Sequence, residues 1–546
     1  MNRDQTNLWA YRRVPRTASW QKLGLAVLVT AGFVSLVYLF DWWFRAAHVH
    51  SVPWFVVLSL IFWWGLIRMA VLWISYLRIS QPRPVAAQAG LRVAIFTTSS
   101  PGEPLGMFEK TLAACARIRY PHTTYLLDDT GDPRYREVAE RYGAFWLELT
   151  GLPGAKAGKI NAALRQTTEE FVLVLDPDHI PFPNFLDEVL GYFDNPRVGF
   201  VQVAQAYYNQ ERSFTARGAA EQTYGFYGPT QMGMYGHSCA VAIGANCTFR
   251  RAALKSIGGH GIGLAEDLVT AIRLHAAGWT SVYVPSIVSR GLVPEDLGSF
   301  CKQQLKWARG VHEVLFAELP RLWPRLSGWQ RLSYLTIGTY YFSGVITLLF
   351  LLIPYLFLWF RVLPASMDFS EFLANWLPVA VTGFSIYLYV QQWLCHPSTE
   401  RGLHWRGMLL KFACWPVFFR GFVLALRNAD IPYIPTAKQA VKGFTHFVRP
   451  LLVQQLIFAG TLVGIGIKRG FYTAEASLSL TSGEVWGMVL FAAIACLASF
   501  GGVYAAWQST RPAPGDPWDT VNPAGIDVSA RPSENLRDQP ESLVTH

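Results

Sequence analysis

The ten residues FVLVLDPDHI, from Phe171 to Ile180, consist of five apolar residues followed by two aspartates, Asp176 and Asp178. The apolar run is short and rich in valine and leucine, which is typical of a buried strand in a parallel sheet. A strand that leaves the core and ends in carboxylates presents them at its C-terminal edge, where open α/β sheets bind ligands. The stretch therefore predicts an α/β domain with a ligand site at this edge.

Asp176 and Asp178 are separated by one residue, and carboxylates at that spacing repel each other unless a cation lies between them. We interpret them as oxygen ligands of a divalent metal ion that carries a diphosphate. An acidic turn after a strand is the alternative, because Asp-x-Asp alone is a common sequence.

The sequence from Leu91 to about Pro320 alternates short apolar runs with amphipathic helical patterns, as in an α/β domain with a parallel sheet. Helices are predicted over Gly106–Ile118 and Arg134–Tyr142. The predicted strands are Leu91–Thr97, Thr124–Leu127, Phe145–Leu149, Phe171–Leu175, Phe200–Val203 and Ser281–Val284.

The composition is too apolar for a wholly soluble protein, since 51% of the 546 residues are hydrophobic, 14% are aromatic and only 15% are charged. The net charge of +10 comes from basic residues beside apolar segments, which favours an anionic membrane face over nucleic acid. The seven cysteines form no C-x-x-C pair, so we expect reduced, buried thiols and a soluble part in the cytosol. We expect no cleavable signal peptide.

Six apolar segments approach the length of about 20 residues that a membrane span needs. Arg68 interrupts the second, where it could snorkel, face a polar interior or mark the end of the helix. The basic, aromatic-rich stretch His404–Pro450 and the segment Trp329–Tyr341 indicate helices in the membrane interface. The predicted spans are Leu23–Phe40, Pro53–Leu77, Tyr340–Phe360, Phe372–Leu394, Leu451–Ile467 and Val485–Trp507.

These patterns divide the chain into four parts. Residues 1–80 hold two spans, residues 90–320 the α/β domain, residues 321–507 the interface helices and four further spans, and residues 508–546 a tail that we expect to be disordered. The positive-inside rule places the N-terminus, the α/β domain and the stretch His404–Pro450 on the cytosolic side of the membrane.

Two further motifs lie where strands are predicted to end or helices to begin. Asp128 and Asp129 follow the strand TYLL and could accept hydrogen bonds from a nucleotide base or ribose; alternatively Asp129 or Thr130 caps the next helix. Lys156 and Lys159 in AKAGKIN lie beside small residues that let backbone and ammonium approach phosphate. The alternative of an exposed basic turn is stronger for Lys159 than for Lys156.

Two helical motifs complete the set. In GLAEDL, Glu266 or Asp267 could be a general base that accepts a proton from an acceptor hydroxyl, although acidic residues in a first helical turn are also favoured by the helix dipole. In CKQQLKWARG, Trp307 could stack on a sugar ring and Gln303 could bind its hydroxyls, with Lys306 on the same amphipathic helix. For this motif alone, an interface helix with an aromatic anchor is the better interpretation.

Taken in order, these motifs resemble those of the membrane-embedded, processive family 2 glycosyltransferases: bacterial cellulose synthases, with hyaluronan, chitin and curdlan synthases as relatives. That family has the motifs D(D), K-A-G, D-x-D, T-E-D and Q-x-x-R-W. PYIPTAK, at 432–438, resembles the gating-loop motif, and the likeness covers about residues 90–460. The matching residues are Asp128-Asp129, Lys156-Ala157-Gly158, Asp176-Pro177-Asp178, Glu266-Asp267 and Gln303-x-x-Lys306-Trp307.

The resemblance implies a GT-A (Rossmann-like) glycosyltransferase domain inserted between transmembrane helices, two before it and about four after. It also implies residue roles. Asp128 and Asp129 would bind the uridine end of a UDP-sugar, and Asp176 and Asp178 would hold Mg²⁺ or Mn²⁺ on the diphosphate. Lys156 would assist at the phosphates, and Asp267 would deprotonate the acceptor. Gln303 and Trp307 would hold the acceptor sugar, and Thr436 and Lys438 would help to close the site.

The chain departs from the family pattern in several places. Ala265 replaces the threonine of T-E-D, and Lys306 replaces the arginine of Q-x-x-R-W. The second change replaces a planar guanidinium, which can form paired hydrogen bonds, by a compact ammonium charge. TTSSPGEP, at 97–104, differs from the family's T-Y-N-E-P. No β-barrel of the kind that binds cyclic di-GMP is expected in the tail.

The sequence thus predicts a processive, inverting β-glycosyltransferase that polymerises a UDP-hexose, with UDP-glucose as the first candidate, and exports the β-glucan. Its partners would be the donor, the growing polysaccharide, the bilayer and accessory export subunits. The alternatives are a UDP-N-acetylglucosamine polymerase, a single-transfer enzyme acting on a lipid carrier, and a non-catalytic export component.

Overall fold

The computed structural model describes residues 8–526, apart from residues 361, 364, 430, 432–434, 472–481 and 512–514. The chain starts with a two-residue strand, β1 (Arg12–Arg13), and two apolar helices, α1 (Ser19–Trp43) and α2 (Val52–Tyr76). Pro53 lies in the first turn of α2, where the missing N–H would have had no partner within the helix.

An α/β domain follows these two helices. Its strands are β2 (Val93–Thr98), β3 (Thr123–Asp128), β4 (Phe145–Glu148), β5 (Phe171–Leu175), β6 (Ile180–Pro181), β7 (Val198–Val203), β8 (Cys247–Arg250), β9 (Thr280–Val284), β10 (Ser286–Ile287) and β11 (Ser289–Arg290). Its helices are α3 (Leu105–Cys115), α4 (Pro133–Arg141), α5 (Ala155–Gln166), α6 (Phe185–Val189), α7 (Phe214–Gly225), α8 (Gln231–Gly236), α9 (Arg251–Ser256), α10 (Glu266–Ala276), α11 (Leu297–Glu313) and α12 (Leu319–Leu322).

A seven-stranded sheet with the order β4-β3-β2-β5-β8-β7-β9 forms the centre of this domain. The six predicted strands are confirmed, each with boundaries within two residues of those observed. The expectation of a parallel sheet is wrong, because β8 runs antiparallel to both β5 and β7 and makes the sheet mixed. The sequence analysis misses β8 because its four residues contain no continuous apolar run.

Strand β5 is buried on both faces, as its five apolar residues predict. Successive side chains of a strand point to opposite faces. Accordingly Phe171, Leu173 and Leu175 join the apolar cluster on one side of the sheet, and Val172 and Val174 join the cluster on the other. Helices therefore cover both faces, and the edge at the C-terminal end of the strand is left for polar side chains.

The remaining helices follow the domain. They are α13 (Gly328–Gly338), α14 (Ser343–Phe360), α15 (Phe369–Val390), α16 (Trp405–Ala413), α17 (Trp415–Leu426), α18 (Arg449–Phe471) and α19 (Ser482–Gln508). Within the described residues, six helical stretches are long and apolar enough to cross a membrane, or seven if α16 and α17, which are bent by 46°, form one span. Each predicted span overlaps one of the six, so the membrane class is confirmed.

Two details of this region refine the predictions. The segment Trp329–Tyr341, predicted as an interface helix, leads directly into α14, and together they form an apolar stretch of 33 residues. Arg68 contacts the C-terminal end of α13, where it donates hydrogen bonds to the Thr336 carbonyl (2.6 Å) and to Thr339 Oγ1 (2.5 Å). All seven cysteines are free and buried, as predicted.

The segment predicted to be a disordered tail is ordered in part. Helix α19 extends to Gln508, and Trp518, Val521 and Ile526 are buried in the same apolar cluster as Met107 of α3. The ordered chain thus continues beyond the predicted boundary at residue 508. Residues 527–546 lie outside the described residues.

Candidate active site

The motif residues converge at one edge of the sheet, where β3 and β5 end and α5 and α10 begin. Parallel strands place their C-terminal ends at the same edge, which explains why residues far apart in sequence meet there.

Asp176, Asp178 and His179 form a cluster that could hold a metal ion, with one ligand atom from each lying within 4.8 Å of the others. Asp178 is almost fully buried, and its Oδ2 accepts a hydrogen bond from the Leu292 amide at 3.2 Å. His179 is buried, and its Nδ1 lies 3.4 Å from Asp178 Oδ1. Two carboxylates and an imidazole are a donor set that suits a divalent ion such as Mn²⁺. The residues present therefore fit a divalent cation.

Two ammonium groups neutralise these carboxylates in the structure. Lys156 Nζ donates to Asp176 Oδ1, and Lys438 Nζ lies 3.0 Å from Asp178 Oδ1. Burial alone would raise the pKa of Asp178, but Lys438 and His179 hold it well below its usual range. Asp178 is therefore ionised, as a metal ligand must be.

Lys156 connects the acidic pair to the first turn of α10. Its ammonium donates to the Gly244 carbonyl at 2.5 Å and lies 4.0 Å from Glu266 Oε1. Burial would lower the pKa of Lys156, but Asp176 and Glu266 raise it above its usual value, so the side chain is charged. Gly158 makes this turn possible, since a Cβ at that position would lie 2.0 Å from the Pro153 carbonyl oxygen.

Lys159 does not lie on an exposed turn, so that alternative is wrong. Its side chain is 2% exposed, and its ammonium donates to the Ser99 carbonyl at 2.5 Å and lies 3.4 Å from Asp129 Oδ2. Burial lowers the pKa of Lys159. Lys159 thus connects α5 to the residues that follow β2 and β3, next to Asp129 of the predicted nucleotide site.

Asp128 and Asp129 differ in their surroundings. Asp128 is fully buried, and its carboxylate accepts hydrogen bonds from Ser99, from Thr130 (amide, 3.1 Å) and from Trp146 Nε1 (3.1 Å). Asp129 is partly exposed and accepts from the Gly151 amide at 3.0 Å. Asp128 therefore shapes the end of β3, whereas Asp129 has the more accessible carboxylate.

The helix cap predicted for Asp129 or Thr130 is made by another residue. Asp132 caps α4, with its Oδ1 accepting from the Arg134 amide at 3.0 Å. Asp129 is therefore not used as the cap of α4, and its carboxylate is partly exposed at the edge of the site.

Glu266 and Asp267 occupy the first turn of α10, as predicted. Burial, together with the neighbouring Glu266 carboxylate, raises the pKa of Asp267 to about 7. A Cβ at Gly244 would lie 3.3 Å from Asp267 Oδ2, so the absence of a side chain at Gly244 leaves one face of this carboxylate open. A carboxylate with a pKa near neutrality is suited to accept a proton from a hydroxyl.

Gln303, Lys306 and Trp307 lie on α11, and the predicted helix is confirmed. Burial lowers the pKa of Lys306, while the carboxylates of Glu266 and Asp176 oppose the shift. Lys306 therefore faces the same acidic cluster. Trp307 packs against the large apolar cluster that also contains membrane-helix residues such as Trp43.

The loop after α17 also reaches the site. Lys438 lies beside Asp178, and Thr436 is half-buried. Pro432, Tyr433 and Ile434 of the gating-like motif lie outside the described residues.

The sequence analysis missed Glu103, which lies in the segment that departs from the family pattern. Burial raises the pKa of Glu103 to about 7, with the Lys438 ammonium opposing the shift and Asp178 adding to it. Its Oε2 accepts from the Ser100 amide at 2.9 Å. Its position directly before Pro104, as in the family's E-P pair, is the signal that could have identified it. His179, adjacent to Asp178 in sequence, was likewise not assigned a role.

Residues 171–366 match the family model described as glycosyl transferase family group 2. The chain is 31% identical over 267 residues to the cellulose synthase catalytic subunit [UDP-forming] of Komagataeibacter sucrofermentans, covering 47% of this chain and 35% of that protein. It is 29% identical over 296 residues to the corresponding subunit of Xanthomonas axonopodis pv. citri, covering 51% and 40%.

Among solved structures, a mannosyltransferase from Pyrobaculum calidifontis in complex with GDP-Man and Mn²⁺ is 18% identical, with a TM-score of 0.39, covering 61% of this chain and 98% of that one. The chain spans between a third and two fifths of the length of the two curated relatives. Within the described residues, the mixed sheet has an acidic edge, and the domain is flanked by helices that are long and apolar enough to cross a membrane. Residues 171–366 thus match a family 2 glycosyltransferase model, and the chain is similar to bacterial cellulose synthase catalytic subunits.

Proposed function

We propose that this protein is a processive, inverting β-glycosyltransferase that polymerises a UDP-hexose, with UDP-glucose as the first candidate donor, and exports the product through its membrane helices. One observation carries the proposal. Lys156 links a cation-binding pair, Asp176 with Asp178, to a carboxylate pair whose Asp267 has a pKa of about 7. A site that transfers a sugar from a nucleotide diphosphate needs both parts, one for the leaving group and one for the acceptor.

On the donor side, Asp129 would accept hydrogen bonds from the nucleoside, while Asp128 holds the end of β3 in shape. Asp176, Asp178 and His179 would hold Mg²⁺ or Mn²⁺, which when bound neutralises charge on the leaving diphosphate. Lys156 and Lys438 would donate to phosphate oxygens, since both ammonium groups already lie at these carboxylates. A charged donor that exchanges a carboxylate for a phosphate keeps a strong hydrogen bond.

On the acceptor side, Asp267 would take the proton of the attacking hydroxyl, and Glu266 keeps its pKa near neutrality. Attack by a deprotonating hydroxyl on the face opposite the leaving diphosphate inverts the configuration of the sugar. Gln303 and Trp307 would hold the acceptor sugar, because α11 passes from the acidic cluster to the apolar cluster of the membrane helices. Lys306 would balance the charge of Glu266.

The site would face the cytosol of a bacterial cell, with the protein in the inner membrane and accessory subunits receiving the product outside. The relatives are named as UDP-forming cellulose synthase subunits, which supports a UDP-linked donor and a β-glucan product. The proposed domain boundaries are those of the sequence analysis, with the ordered chain extended to residue 526.

The test uses the full chain in sealed lipid vesicles with the α/β domain outward and Mg²⁺ present. Labelled UDP-glucose and UDP-N-acetylglucosamine are supplied separately, and the product is digested with linkage-specific glycosidases. We expect a β-glucan from UDP-glucose that is protected inside the vesicles. Polymer from the N-acetylated donor alone would contradict the glucose assignment, and lipid-linked single sugars would contradict processivity. The variant Asp178→Asn should abolish synthesis.

A further inference from the structure

In the loop that carries Lys438, three residues form hydrogen bonds with groups outside the catalytic motifs. They are Gln439, Val441 and Gly443. The Val441 amide donates to Asp296 Oδ2 at 3.1 Å, and the Gly443 amide donates to the Ser509 carbonyl at 3.1 Å. Gln439 Nε2 donates to Asp516 Oδ1 at 2.9 Å. These three anchors lie within five residues after Lys438, so they restrict the backbone next to it.

The third anchor belongs to a segment that we call the C-terminal strap, residues 515–526. Trp518 is its main apolar contact, with 4% of its surface exposed. Its indole lies on α3, where a Cβ at Gly106 would be 3.1 Å from Nε1. The Gly515 carbonyl also accepts from Arg212 Nη2 at 2.6 Å, and Arg212 is itself paired with Glu295 at 2.6 Å. The strap is therefore fixed to the α/β domain at two separate points.

The strap docks beside the active site, not at a remote surface. Helix α3 begins just after Glu103, and its Thr111 Oγ1 donates to the carbonyl of Pro177, between Asp176 and Asp178, at 2.6 Å. Trp518 contacts that helix at Gly106, three residues after Glu103. The strap thus spans from the helix beside the acidic cluster to the loop that carries Lys438.

We propose that the C-terminal strap holds this loop over the nucleotide edge, and that Asp516 and Trp518 are positioning residues for donor binding. Asp516 acts through Gln439 on Lys438, and Trp518 fixes the strap to α3. The inference rests on the proposed function, because it assigns Lys438 to the donor phosphates. A loop that is fixed in advance loses less conformational freedom when the nucleotide binds, so the strap should increase affinity for UDP.

The test compares the full-length protein with Asp516→Ala in lipid nanodiscs by two measurements. The first is hydrogen exchange of the amides in residues 435–443, and the second is the Kd of UDP with Mg²⁺. We expect faster exchange at Val441 and Gly443, and a Kd raised about fivefold, the effect of losing one solvent-exposed hydrogen bond. In Asp516→Asn the exchange rates and the Kd of UDP should stay near their wild-type values, because the amide oxygen of Asn can still accept from Gln439. Trp518→Ala should act in the same direction.

Asp519→Ala is the matched control, since Asp519 is an exposed aspartate of the same short helical turn and its side chain makes no hydrogen bond to the described residues. Unchanged exchange and unchanged Kd in Asp516→Ala would overturn the inference, as would equal changes in Asp519→Ala. If the wild-type protein binds no UDP, the proposed function fails, and the exchange rates alone then decide whether the strap holds the loop.

Discussion

The ammonium of Lys438 lies 3.0 Å from the buried carboxylate of Asp178, although the two residues are 260 positions apart in the sequence. Lys156 is paired in the same way with Asp176. Because both carboxylates are the candidate metal ligands, the proposed function implies that the two ammonium groups would exchange a carboxylate for phosphate oxygens when a metal ion and a diphosphate bind. Lys438 would then be the contact between the loop and the nucleotide.

The variant Lys438→Gln should change the affinities for nucleotide and metal in opposite directions. UDP binding should weaken about tenfold, because a charged hydrogen bond to phosphate is lost. Binding of Mn²⁺ alone should tighten, because the ammonium no longer competes for Asp178. Titration calorimetry with Mn²⁺, and with UDP in the presence of Mn²⁺, measures both. Lys442→Gln, an exposed lysine of the same loop, should leave both unchanged. Weaker Mn²⁺ binding in Lys438→Gln would contradict the proposed exchange.

The variant Asp267→Asn should separate chemistry from binding. A positioned general base contributes about 10²–10⁴-fold to the rate, so synthesis should fall by that factor. The Kd of UDP should stay close to the wild-type value, because the cation site is built from other residues. Full synthesis by Asp267→Asn would exclude this carboxylate as the general base.

The rate of synthesis should increase with pH around pH 7. The pKa of Asp267 is raised to about 7 by burial and by Glu266, with Lys156 opposing the shift. Only the deprotonated carboxylate accepts a proton, so the rate should fall about tenfold per pH unit below the pKa and level off above it. In Glu266→Gln the midpoint should move to lower pH, because a neighbouring negative charge is removed. Initial rates at saturating donor, from pH 5.5 to 8.5, measure this. A midpoint that moves to higher pH would contradict the assignment.

The variant Gly291→Ala should disturb the cation site without changing any of its ligands. A Cβ at Gly291 would lie 2.5 Å from Cε1 of His179, which is buried and cannot move freely. Overpacking of this kind costs about 1–3 kcal/mol, so we expect a lower Tm and weaker Mn²⁺ binding. Gly225→Ala, in a helix where no atom lies within 4 Å of the added Cβ, is the control and should not lower the Tm. Unchanged Mn²⁺ affinity in Gly291→Ala would argue against a role of His179 at the metal.

The sequence predicts the parts of the fold that depend on local pattern. The five apolar residues Phe171–Leu175 can satisfy both faces of a strand only in the centre of a sheet, and that is where β5 lies. The acidic pair after it and the carboxylates of α10 could be predicted for the same reason, since the ends of strands and helices are set by neighbouring residues.

Contacts that depend on the folded chain could not be predicted in this way. Lys159 resembles an exposed turn residue, yet its burial is set by Ser99 and Asp129, which reach it from other strands. Trp518 is a single aromatic residue in a polar tail, and it docks where the small residue Gly106 on α3 leaves room for its indole. Strand β8 is fixed by pairing on both sides, which its own four residues do not reveal.

The most direct measurement is the length distribution of the product made by a trace of enzyme in vesicles supplied with UDP-glucose and Mg²⁺. If the site retains its product between transfers, long chains should form from the first minutes, and their length should not depend on the ratio of enzyme to acceptor. Addition of enzyme should increase the number of chains and not their length. Products of one or two sugars that lengthen only as enzyme is added would contradict a processive synthase.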